Sequence, residues 1–268
     1  MIDKEIMRRH FSRSARTYDE YARVQKEMAA ELIKMVEGLY PAEILDIGCG
    51  AGLLTRMLCQ KFPKARITAV DIAPGMIEMS RKKLSGANVS FRCDDIEEVE
   101  VGGKYDLIIS NAAFQWFNFL GRTINKLYQA LSDHGLLCFS TFGDMTFNEL
   151  RQSYAKAREK TGIKAASEPG QSFYGFPELL SLCRDSISAG DHCLIQGKER
   201  LVYDYFPSVQ EFLLSVKKIG ANNSNRENRT ASPALLKNMM VIYQNEFSEN
   251  NQIKVTYHCL FVSVKRRA

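Results

Sequence analysis

Residues 43–52 read Glu-Ile-Leu-Asp-Ile-Gly-Cys-Gly-Ala-Gly, and a second apolar run, Ile-Thr-Ala-Val at 67–70, ends on Asp71. This pattern predicts a strand, a glycine turn into a helix, and a second strand with a carboxylate at its carboxyl end. Glycines let a backbone approach a ligand closely, and a carboxylate in that place accepts hydrogen bonds from a ribose diol. The stretch therefore predicts an α/β fold that binds a nucleoside-containing ligand.

The glycine spacing distinguishes two classes of nucleoside ligand. A dinucleotide site has the pattern G-x-G-x-x-G, whose third glycine packs the helix on the strand beside a pyrophosphate. Here the glycines fall at 48, 50 and 52, and Asp46 precedes the first of them by two residues. A carboxylate there would repel a pyrophosphate but suits a cationic ligand that carries an ammonium group. S-adenosylmethionine is such a ligand, so the spacing favours it and disfavours an NAD-dependent oxidoreductase.

Composition and charge narrow the class of protein. A net charge of +5 over 268 residues is too small to indicate nucleic-acid binding. The seven cysteines form no C-x-x-C pair, so neither a metal site nor a redox motif is predicted, and scattered free thiols are typical of a reducing compartment. The amino terminus lacks the apolar core of a signal peptide, and no apolar run reaches transmembrane length. We therefore predict a cytoplasmic protein with no nucleic-acid or membrane partner.

Apolar periodicity predicts alternating strands and helices in the middle of the chain. The predicted strands are 44–47, 67–70, 89–92, 105–110 and 135–142, and the predicted helices are 53–62, 74–84 and 120–131. This alternation predicts a parallel sheet with right-handed crossovers, that is, a Rossmann-like α/β fold with a mostly parallel central sheet.

The flanking segments predict a helical lid and a late helical cap. Residues 4–38 favour helix, with a possible break near Ser12, Ser14 and Thr17. After residue 142 the predicted helices are 146–160, 177–187, 208–219 and 233–247, with a loop at 161–175 and a polar stretch at 222–230. Strands are predicted at 192–206, with a bulge at Gly197, and at 253–264, the last one antiparallel. The predicted parts are a lid at 1–40, a binding core at 41–142, a substrate insert at 143–190, and final strands at 191–268 with a cap at 208–249.

Side chains at the carboxyl ends of the predicted strands form a candidate ligand site. Asp94 and Asp95 follow the third strand, where a carboxylate can accept the exocyclic amine of an adenine, and Asn111 ends the fourth strand. Gln115 and Trp116 are expected at the mouth of the site. The predicted apolar walls of the base pocket are Ile72, Met76 and Ile96.

No candidate general base accompanies this site. The four histidines, at 10, 134, 192 and 258, follow no predicted strand end in the crevice, and the chain has no nucleophile elbow or phosphate-binding lysine loop. Methyl transfer from a sulfonium to an anionic acceptor needs proximity and exclusion of water rather than a base. A carboxylate is such an acceptor at neutral pH, so the chemistry favours carboxyl methylation.

Two groups of basic residues are candidates to bind an acidic partner or a substrate carboxylate, although a solvated helix face is the default explanation for such charges. They are Arg8, Arg9, Arg13, Arg16, Arg23 and Lys26 near the amino terminus, and Lys217 and Lys218 before Gly220.

Over residues 40–142 the chain resembles the class I S-adenosylmethionine-dependent methyltransferases, through Asp-Ile-Gly-Cys-Gly-Ala-Gly, Asp71, Asp95 and Asn111. Over nearly its whole length it resembles, more narrowly, the malonyl-acyl carrier protein O-methyltransferase family of biotin synthesis. The motifs that carry the narrower resemblance are Phe11–Asp19 with Gln25, Asn111–Trp116, Thr141–Leu150, Phe212–Ala221 and Thr256-Tyr257.

The resemblance implies an activity and a set of roles. Members of that family methylate the free carboxyl of a malonyl thioester on acyl carrier protein, and the ester primes pimeloyl chain synthesis for biotin. The carrier is acidic, which would give the basic surface a purpose. By resemblance the cofactor site comprises Asp46, Gly48 and Gly50 for the methionine moiety, Asp71 for the ribose, Asp95 for the adenine, and Tyr18 and Gln25 closing over it. The malonyl group is expected near Tyr18, Gln115, Phe176 and Lys217.

Other functions remain open on the sequence. A methyltransferase acting on another small carboxylic acid or on a quinone precursor would share the cofactor site, and the later motifs alone favour the malonyl thioester. A sensor that binds the nucleoside without catalysis is disfavoured by the elaborate cap. A nucleic-acid methyltransferase would need a larger basic surface and a base-stacking motif.

Overall fold

The computed structural model describes residues 1–163, 170–187, 192–221 and 232–267. The strands in these residues are β1 Glu43–Ile47, β2 Arg66–Val70, β3 Val89–Arg92, β4 Tyr105–Asn111, β5 Leu131–Phe142, β6 Cys193–Phe206, β7 Ser248–Glu249 and β8 Gln252–Arg266. The helices are α1 Lys4–Ser14, α2 Tyr18–Tyr21, α3 Arg23–Met35, α4 Leu53–Lys61, α5 Pro74–Lys83, α6 Leu120–Gln129, α7 Asn148–Thr161, α8 Phe176–Ser186, α9 Val209–Lys218 and α10 Pro233–Glu246, with a 3₁₀ turn at Phe114–Trp116.

The strands form one mixed sheet in the order β3-β2-β1-β4-β5-β8-β6, with β7 paired to β8. Strands β1 to β5 are parallel, whereas β8 runs antiparallel to both β5 and β6. The strand order reverses between β1 and β4, so a crevice opens at their carboxyl ends, where ligands bind in open α/β sheets. The predicted Rossmann-like fold with an antiparallel last strand is confirmed.

The core lies on both faces of the sheet, as the apolar run in β4 predicts. Leu107 and Ile109 point into a cluster covered by α3, α4, α7 and α10, whereas Ile108 points into a second cluster covered by α6 and α8. All three side chains are fully buried. Because β4 is covered on both sides, its carboxyl end is held at the centre of the molecule.

Two local expectations differ in outcome. The predicted break in the amino-terminal helical segment is confirmed, since α1, α2 and α3 replace one continuous helix. The bulge at Gly197 is wrong, because β6 pairs with β8 in unbroken register from Cys193 to Phe206. Glycine is needed there for packing instead: a Cβ atom on Gly197 would lie 2.8 Å from Leu180 Cδ2 and 2.9 Å from Phe176 Cε2.

The remaining sequence predictions concern two loops, one strand boundary, the division into parts and membrane spans. The polar stretch at 222–230 lies outside them, and so does the middle of the predicted 161–175 loop. Strand β5 begins four residues earlier than the predicted Gly135. The proposed division into lid, core, insert and cap stays a prediction. No helix in the described ranges is both long and apolar enough to cross a bilayer.

The amino-terminal segment is attached beside the crevice by hydrogen bonds between side-chain hydroxyls and backbone groups. The Gly75 N–H donates to Ser12 Oγ at 3.3 Å, which joins α1 to the first turn of α5. Ser14 and Thr17 hydroxyls donate to the carbonyls of Lys217 and Lys218 at the end of α9, at 3.3 and 2.7 Å. Residues far apart in sequence thus enclose the crevice from one side.

Gly75→Ala should loosen α1 from α5. The new Cβ atom would lie 2.5 Å from the Ser12 carbonyl oxygen and 2.9 Å from Ser12 Cα, and a backbone atom cannot rotate away. We expect a loss of about 1–3 kcal/mol in the free energy of unfolding, with faster hydrogen exchange confined to residues 4–21.

Gly102→Ala is the matched control, since a Cβ atom there meets open space. Equal exchange rates in residues 4–21 of the two variants would contradict the close α1–α5 contact.

Candidate functional site

Two adjoining cavities lie at the carboxyl ends of the strands. The smaller, here called the strand-end cavity, has a volume of about 80 Å³ and is lined by Gly48, Gly50, Asp71, Asp95 and Asn111 among others. The larger, the cap cavity, has a volume of about 360 Å³ and lies between residues of α1–α3 and residues of α7 and α9. Both are lined by Phe11, Tyr18, Ala112 and Trp116. A ligand in one cavity would therefore face a ligand in the other across these four residues.

The glycine turn after β1 needs glycine for two separate reasons. Gly48, Gly50 and Gly52 have φ angles of 65°, 54° and 87°, in the left-handed region that favours glycine. In addition, a Cβ atom on Gly48 would lie 2.4 Å from Ala113 Cβ. The turn can follow this path only without side chains, and its backbone then forms the floor of the strand-end cavity.

Asp71, at the end of β2, is held in place by backbone donors. The N–H groups of Gly50 and Ala73 donate to its two carboxylate oxygens at 2.9 and 2.8 Å. Burial raises the pKa of Asp71 to about 6, although these two hydrogen bonds oppose that shift. The carboxylate is thus ionised at neutral pH and lines the cavity, as its predicted role at the ribose requires.

Asp46 lies beneath the turn rather than on the cavity wall. Its side chain is fully buried, and its Oδ2 atom accepts a hydrogen bond from Thr55 Oγ1 at 2.6 Å. The Oδ1 atom has no partner among the described residues. Burial, with a smaller contribution from Asp71, raises the pKa of Asp46 to about 7. A buried carboxylate with an unsatisfied oxygen fits a site for a cation, which supports the predicted ammonium-bearing ligand.

The residues predicted to surround the adenine also lie together. Asp95 lines the strand-end cavity together with Ile72, Met76 and Ile96. Lys4 of α1 reaches across the cavity mouth, where its Nζ atom lies 3.5 Å from Asp95 Oδ2 and 2.5 Å from Glu97 Oε2. The sequence motifs did not indicate Lys4, because its partners are about ninety residues away along the chain. This ion pair holds the start of the lid over the cavity.

Tyr18 lines both cavities, whereas Gln25, predicted to close over the cofactor, lines only the cap cavity. Burial and then the charge of Asp71 raise the pKa of the Tyr18 hydroxyl well above its usual range. This hydroxyl therefore stays protonated and can donate a hydrogen bond but cannot act as a base. The Gln25 carbonyl accepts from Asn111 Nδ2 at 3.0 Å, and Ser140 Oγ donates to Asn111 Oδ1 at 2.8 Å. Asn111 thereby joins α3 to the ends of β4 and β5.

Gln115 faces the cap cavity with its side-chain amide already engaged. Its Nε2 atom donates to the Ala112 carbonyl at 2.7 Å, and its Oε1 atom accepts from Thr141 Oγ1 at 2.9 Å. These two hydrogen bonds fix the orientation of the amide and leave few of its donors and acceptors for a ligand. Trp116 is packed edge-to-face against Phe11, with ring centroids 5.2 Å apart.

Two residues predicted near the malonyl group, Phe176 and Lys217, line neither cavity. Phe176, the first residue of α8, packs beside Gly197 and lines neither cavity. Lys217 is exposed and also lies off the cavity wall. Leu213 and Val216 occupy the face of α9 that lines the cavity, and Lys217 is rotated about 100° from Val216 by the helical period. The predicted substrate roles of these two residues therefore receive no support from their positions.

The structure adds residues that the sequence motifs did not single out. One is Arg151 of α7, a cation on the wall of the cap cavity. It directly follows the Thr141–Leu150 motif, and no local pattern distinguishes it from the other basic residues of that helix. Of the apolar lining, Phe173 is new, whereas Phe142, Phe147, Phe212 and Tyr257 lie within motifs that the sequence had indicated without assigning them a place. Since these residues come from four separate segments, only the tertiary fold brings them together.

Asp46→Asn should change how stability depends on pH. Because the folded-state pKa of Asp46 is raised above the ordinary value of 3.8, to about 7, its contribution to stability is present below about pH 4 and is lost as pH rises through about 7. The variant should therefore gain stability relative to the unsubstituted protein between about pH 6 and pH 8, by about 1 kcal/mol or more. Thermal unfolding across that range measures the difference.

Asp106→Asn serves as the control. The pKa of Asp106 is lowered: burial opposes this shift, but hydrogen bonds from Ser132 and from the backbone of Glu43 and Ala42 outweigh it. Its stability contribution is complete above about pH 4, so the stability difference should be constant between about pH 6 and pH 8. A constant difference for Asp46→Asn as well would contradict the raised pKa.

Comparison with known proteins agrees with this geometry. A family model described as a methyltransferase domain matches residues 44–135. Among solved structures, the YcgJ protein of Bacillus subtilis superposes with a TM-score of 0.61 at 13% identity, covering 90% of this chain and 99% of that one. Haemonchus contortus phosphoethanolamine N-methyltransferase 2, in complex with S-adenosyl-L-methionine, gives a TM-score of 0.56 at 15% identity, covering 90% of this chain and 53% of that one. These likenesses establish the fold.

Other relatives share a much higher sequence identity with this chain than these solved structures do. The malonyl-[acyl-carrier protein] O-methyltransferase of Acetivibrio thermocellus is 51% identical over 271 residues, which covers 100% of this chain and 95% of the relative. The enzyme of the same name from Priestia megaterium is 46% identical, with 99% of each chain covered. Identity at this level over the full length is independent of the cavity geometry, and it agrees with the motifs found in the sequence. The chain belongs to the malonyl-[acyl-carrier protein] O-methyltransferase family.

Proposed function

We propose that this protein transfers a methyl group from S-adenosylmethionine to the free carboxylate of a malonyl thioester on acyl carrier protein. The product is the malonyl methyl ester, which primes pimeloyl chain synthesis for biotin in the cytoplasm. The observation that carries the proposal is the meeting of the strand-end and cap cavities at Phe11, Tyr18, Ala112 and Trp116. Full-length identity of 51% to an enzyme of that name supports the choice of substrate.

The strand-end cavity suits each part of S-adenosylmethionine. Asp71 would accept hydrogen bonds from the ribose diol, and Asp95 would accept the adenine amine between Ile72, Met76 and Ile96. Gly48 and Gly50 would take the methionine moiety, with the buried charge of Asp46 beneath them balancing its cationic groups. Tyr18, Gln25 and Asn111 would close the site from the lid side.

The reaction requires little acid–base catalysis from the protein. A carboxylate oxygen forms a bond to the methyl carbon while the carbon–sulfur bond breaks and its electron pair remains on sulfur. An anion and a sulfonium cation give two neutral groups, and no proton moves. The protonated Tyr18 hydroxyl between the cavities agrees with this, since it is no base.

The cap cavity supplies the dry surroundings that such a reaction favours. Aromatic side chains line it on several sides, including Phe142, Phe147 and Phe212. Attraction between opposite charges is stronger in a site that excludes water, and the charges disappear as the products form. The cavity thus favours the reaction by holding the carboxylate and the methyl group together without solvent.

The carrier would dock on a basic surface formed by α1 and the end of α9. Arg8, Arg9, Arg13 and Arg16 are exposed, and so is Lys217. The contacts of Ser14 and Thr17 with the last carbonyls of α9 bring these cations beside the elements that line the cap cavity. An acidic carrier on this surface could deliver its thioester arm into that cavity.

The acceptor can be identified directly. The protein is supplied with labelled S-adenosylmethionine and, separately, malonyl-carrier protein, malonyl-coenzyme A, free malonate or a quinone precursor, and base-labile methyl ester is measured. We expect ester on malonyl-carrier protein. Turnover only on another acid or on the quinone precursor would contradict the malonyl assignment while leaving a methyltransferase.

Reversal of charge at the docking surface should affect the carrier substrate selectively. Arg13→Glu together with Lys217→Glu should lower kcat/KM for malonyl-carrier protein by about tenfold at low salt. The same change should leave kcat/KM for malonyl-pantetheine, which lacks the acidic carrier, within about twofold. Rising salt should reduce the difference between variant and unsubstituted protein.

Lys64→Glu together with Lys104→Glu provides a control with the same change in net charge, because both lysines are exposed just before the amino ends of β2 and β4, away from the carboxyl ends where the cavities lie. If this control pair lowered the rate as much as the docking pair, a general charge effect would replace the docking surface.

A further inference from the structure

The cap cavity contains one feature that the proposed chemistry leaves unexplained. Arg151 is partly buried on its wall. Its Nη1 atom donates to the Thr146 carbonyl at 2.5 Å, and its Nη2 atom donates to the Asp144 carbonyl. Within the described ranges no carboxylate forms an ion pair with this guanidinium. A cation partly shielded from water beside aromatic side chains, with no carboxylate partner, favours a ligand that supplies the negative charge.

Nearby carboxylates are already committed to other partners. Glu149 accepts from both the backbone N–H and the hydroxyl of Thr256, the former at 3.1 Å. Asp144 Oδ1 lies 3.2 Å from His258 Nδ1. Neither side chain is paired with Arg151, so its charge stays available.

The guanidinium is also fixed in place. The two carbonyls that it contacts belong to the turn between β5 and α7. The Thr146 hydroxyl donates to the His258 carbonyl at 3.3 Å, and the His258 N–H donates to Thr146 Oγ1 at 3.0 Å. This turn is therefore tied to β8, and Arg151 keeps further N–H donors beyond the two used. Such a rigid fork matches the geometry of a carboxylate.

We propose that Arg151 binds the free carboxylate of the acyl substrate and holds one of its oxygens while the other faces the methyl donor. The inference rests on the proposed function and gives that site its anion-binding residue. It assigns to Arg151 the role that the sequence favoured for Lys217, which is exposed and off the cavity wall. Selectivity for an acyl group that ends in a carboxylate then follows from a partly buried cation that a neutral acyl group would leave unpaired.

The test compares two carriers that differ in the charge of the acyl group. Carrier protein loaded with malonyl or with neutral butyryl is titrated against the protein in the presence of S-adenosylhomocysteine, which prevents turnover. The unsubstituted protein should bind the malonyl carrier about 10- to 100-fold more tightly than the butyryl carrier, as a charge-assisted hydrogen bond allows. Arg151→Gln should reduce that preference to less than about threefold while its affinity for the butyryl carrier is unchanged.

Two further variants separate charge from structure. Arg151→Lys keeps the charge without the fork and should retain an intermediate preference. Lys217→Gln should weaken both carriers alike, as a docking residue would, and keep the preference. If Arg151→Gln kept the preference, or if Lys217→Gln alone abolished it, the role of Arg151 would be wrong. A loss of affinity for the butyryl carrier in Arg151→Gln equal to that for the malonyl carrier would also overturn it, since a disturbed turn would explain both.

A different result would contradict the proposed function. Absence of methyl ester from the malonyl carrier with the unsubstituted protein would contradict the reaction, whereas an intact preference in Arg151→Gln contradicts the role of this residue alone.

Discussion

The attachment of the glycine turn to the end of β2 is the constraint on which the rest of the site depends. The N–H groups of Gly48 and Cys49 both donate to the Val70 carbonyl, at 2.8 and 3.0 Å. The Gly50 N–H donates to Asp71, and the Gly50 carbonyl accepts from Ser80 of α5 at 2.9 Å. One turn thus joins β1, β2 and α5, so its position decides where a nucleoside could lie and which side chains surround it.

This attachment is made at an electrostatic cost. It buries the carboxyl groups of Asp46 and Asp71 close together, and burial raises the pKa of each. A cation bound at the turn would offset that cost, because it would restore favourable interactions for both ionised groups. The same acidity makes the site unsuited to a pyrophosphate. Preference for a cationic cofactor is therefore a property of the buried charges as much as of the glycine spacing.

In the proposed reaction the acceptor would lie in the cap cavity, whose wall is mostly aromatic and apolar among the described residues and carries the cation of Arg151. Arg151 takes its position from the turn after β5, and that turn takes its position from β8 through Thr146 and His258. The antiparallel last strand thus has a direct consequence for the cap cavity. Insertion of β8 beside β5 places Tyr257 on the cavity wall and His258 beneath the turn.

Local patterns were sufficient for the fold and for the cofactor side of the site. The alternation of strands and helices, the glycine spacing and the acids at strand ends are each contained within a few residues, and parallel strands bring their carboxyl ends to one edge. For that reason Asp71, Asp95, Ile72, Met76 and Asn111 lie around one cavity as the sequence predicted. The bulge at Gly197 was wrong because a glycine in a strand pattern does not reveal whether the backbone bends or a neighbouring helix packs closely.

By itself the sequence determined the Rossmann-like class, the nucleoside site, the cationic character of its ligand and the family. Only the tertiary structure decided that Arg151, and not Lys217, lies on the wall of the cap cavity. The contact of α9 with α1 leaves Lys217 on the surface, and the turn held by β8 directs Arg151 inward. The physical reason is range: cofactor contacts follow from hydrogen bonds and periodicity within short segments, whereas the cap cavity forms where segments more than a hundred residues apart pack together.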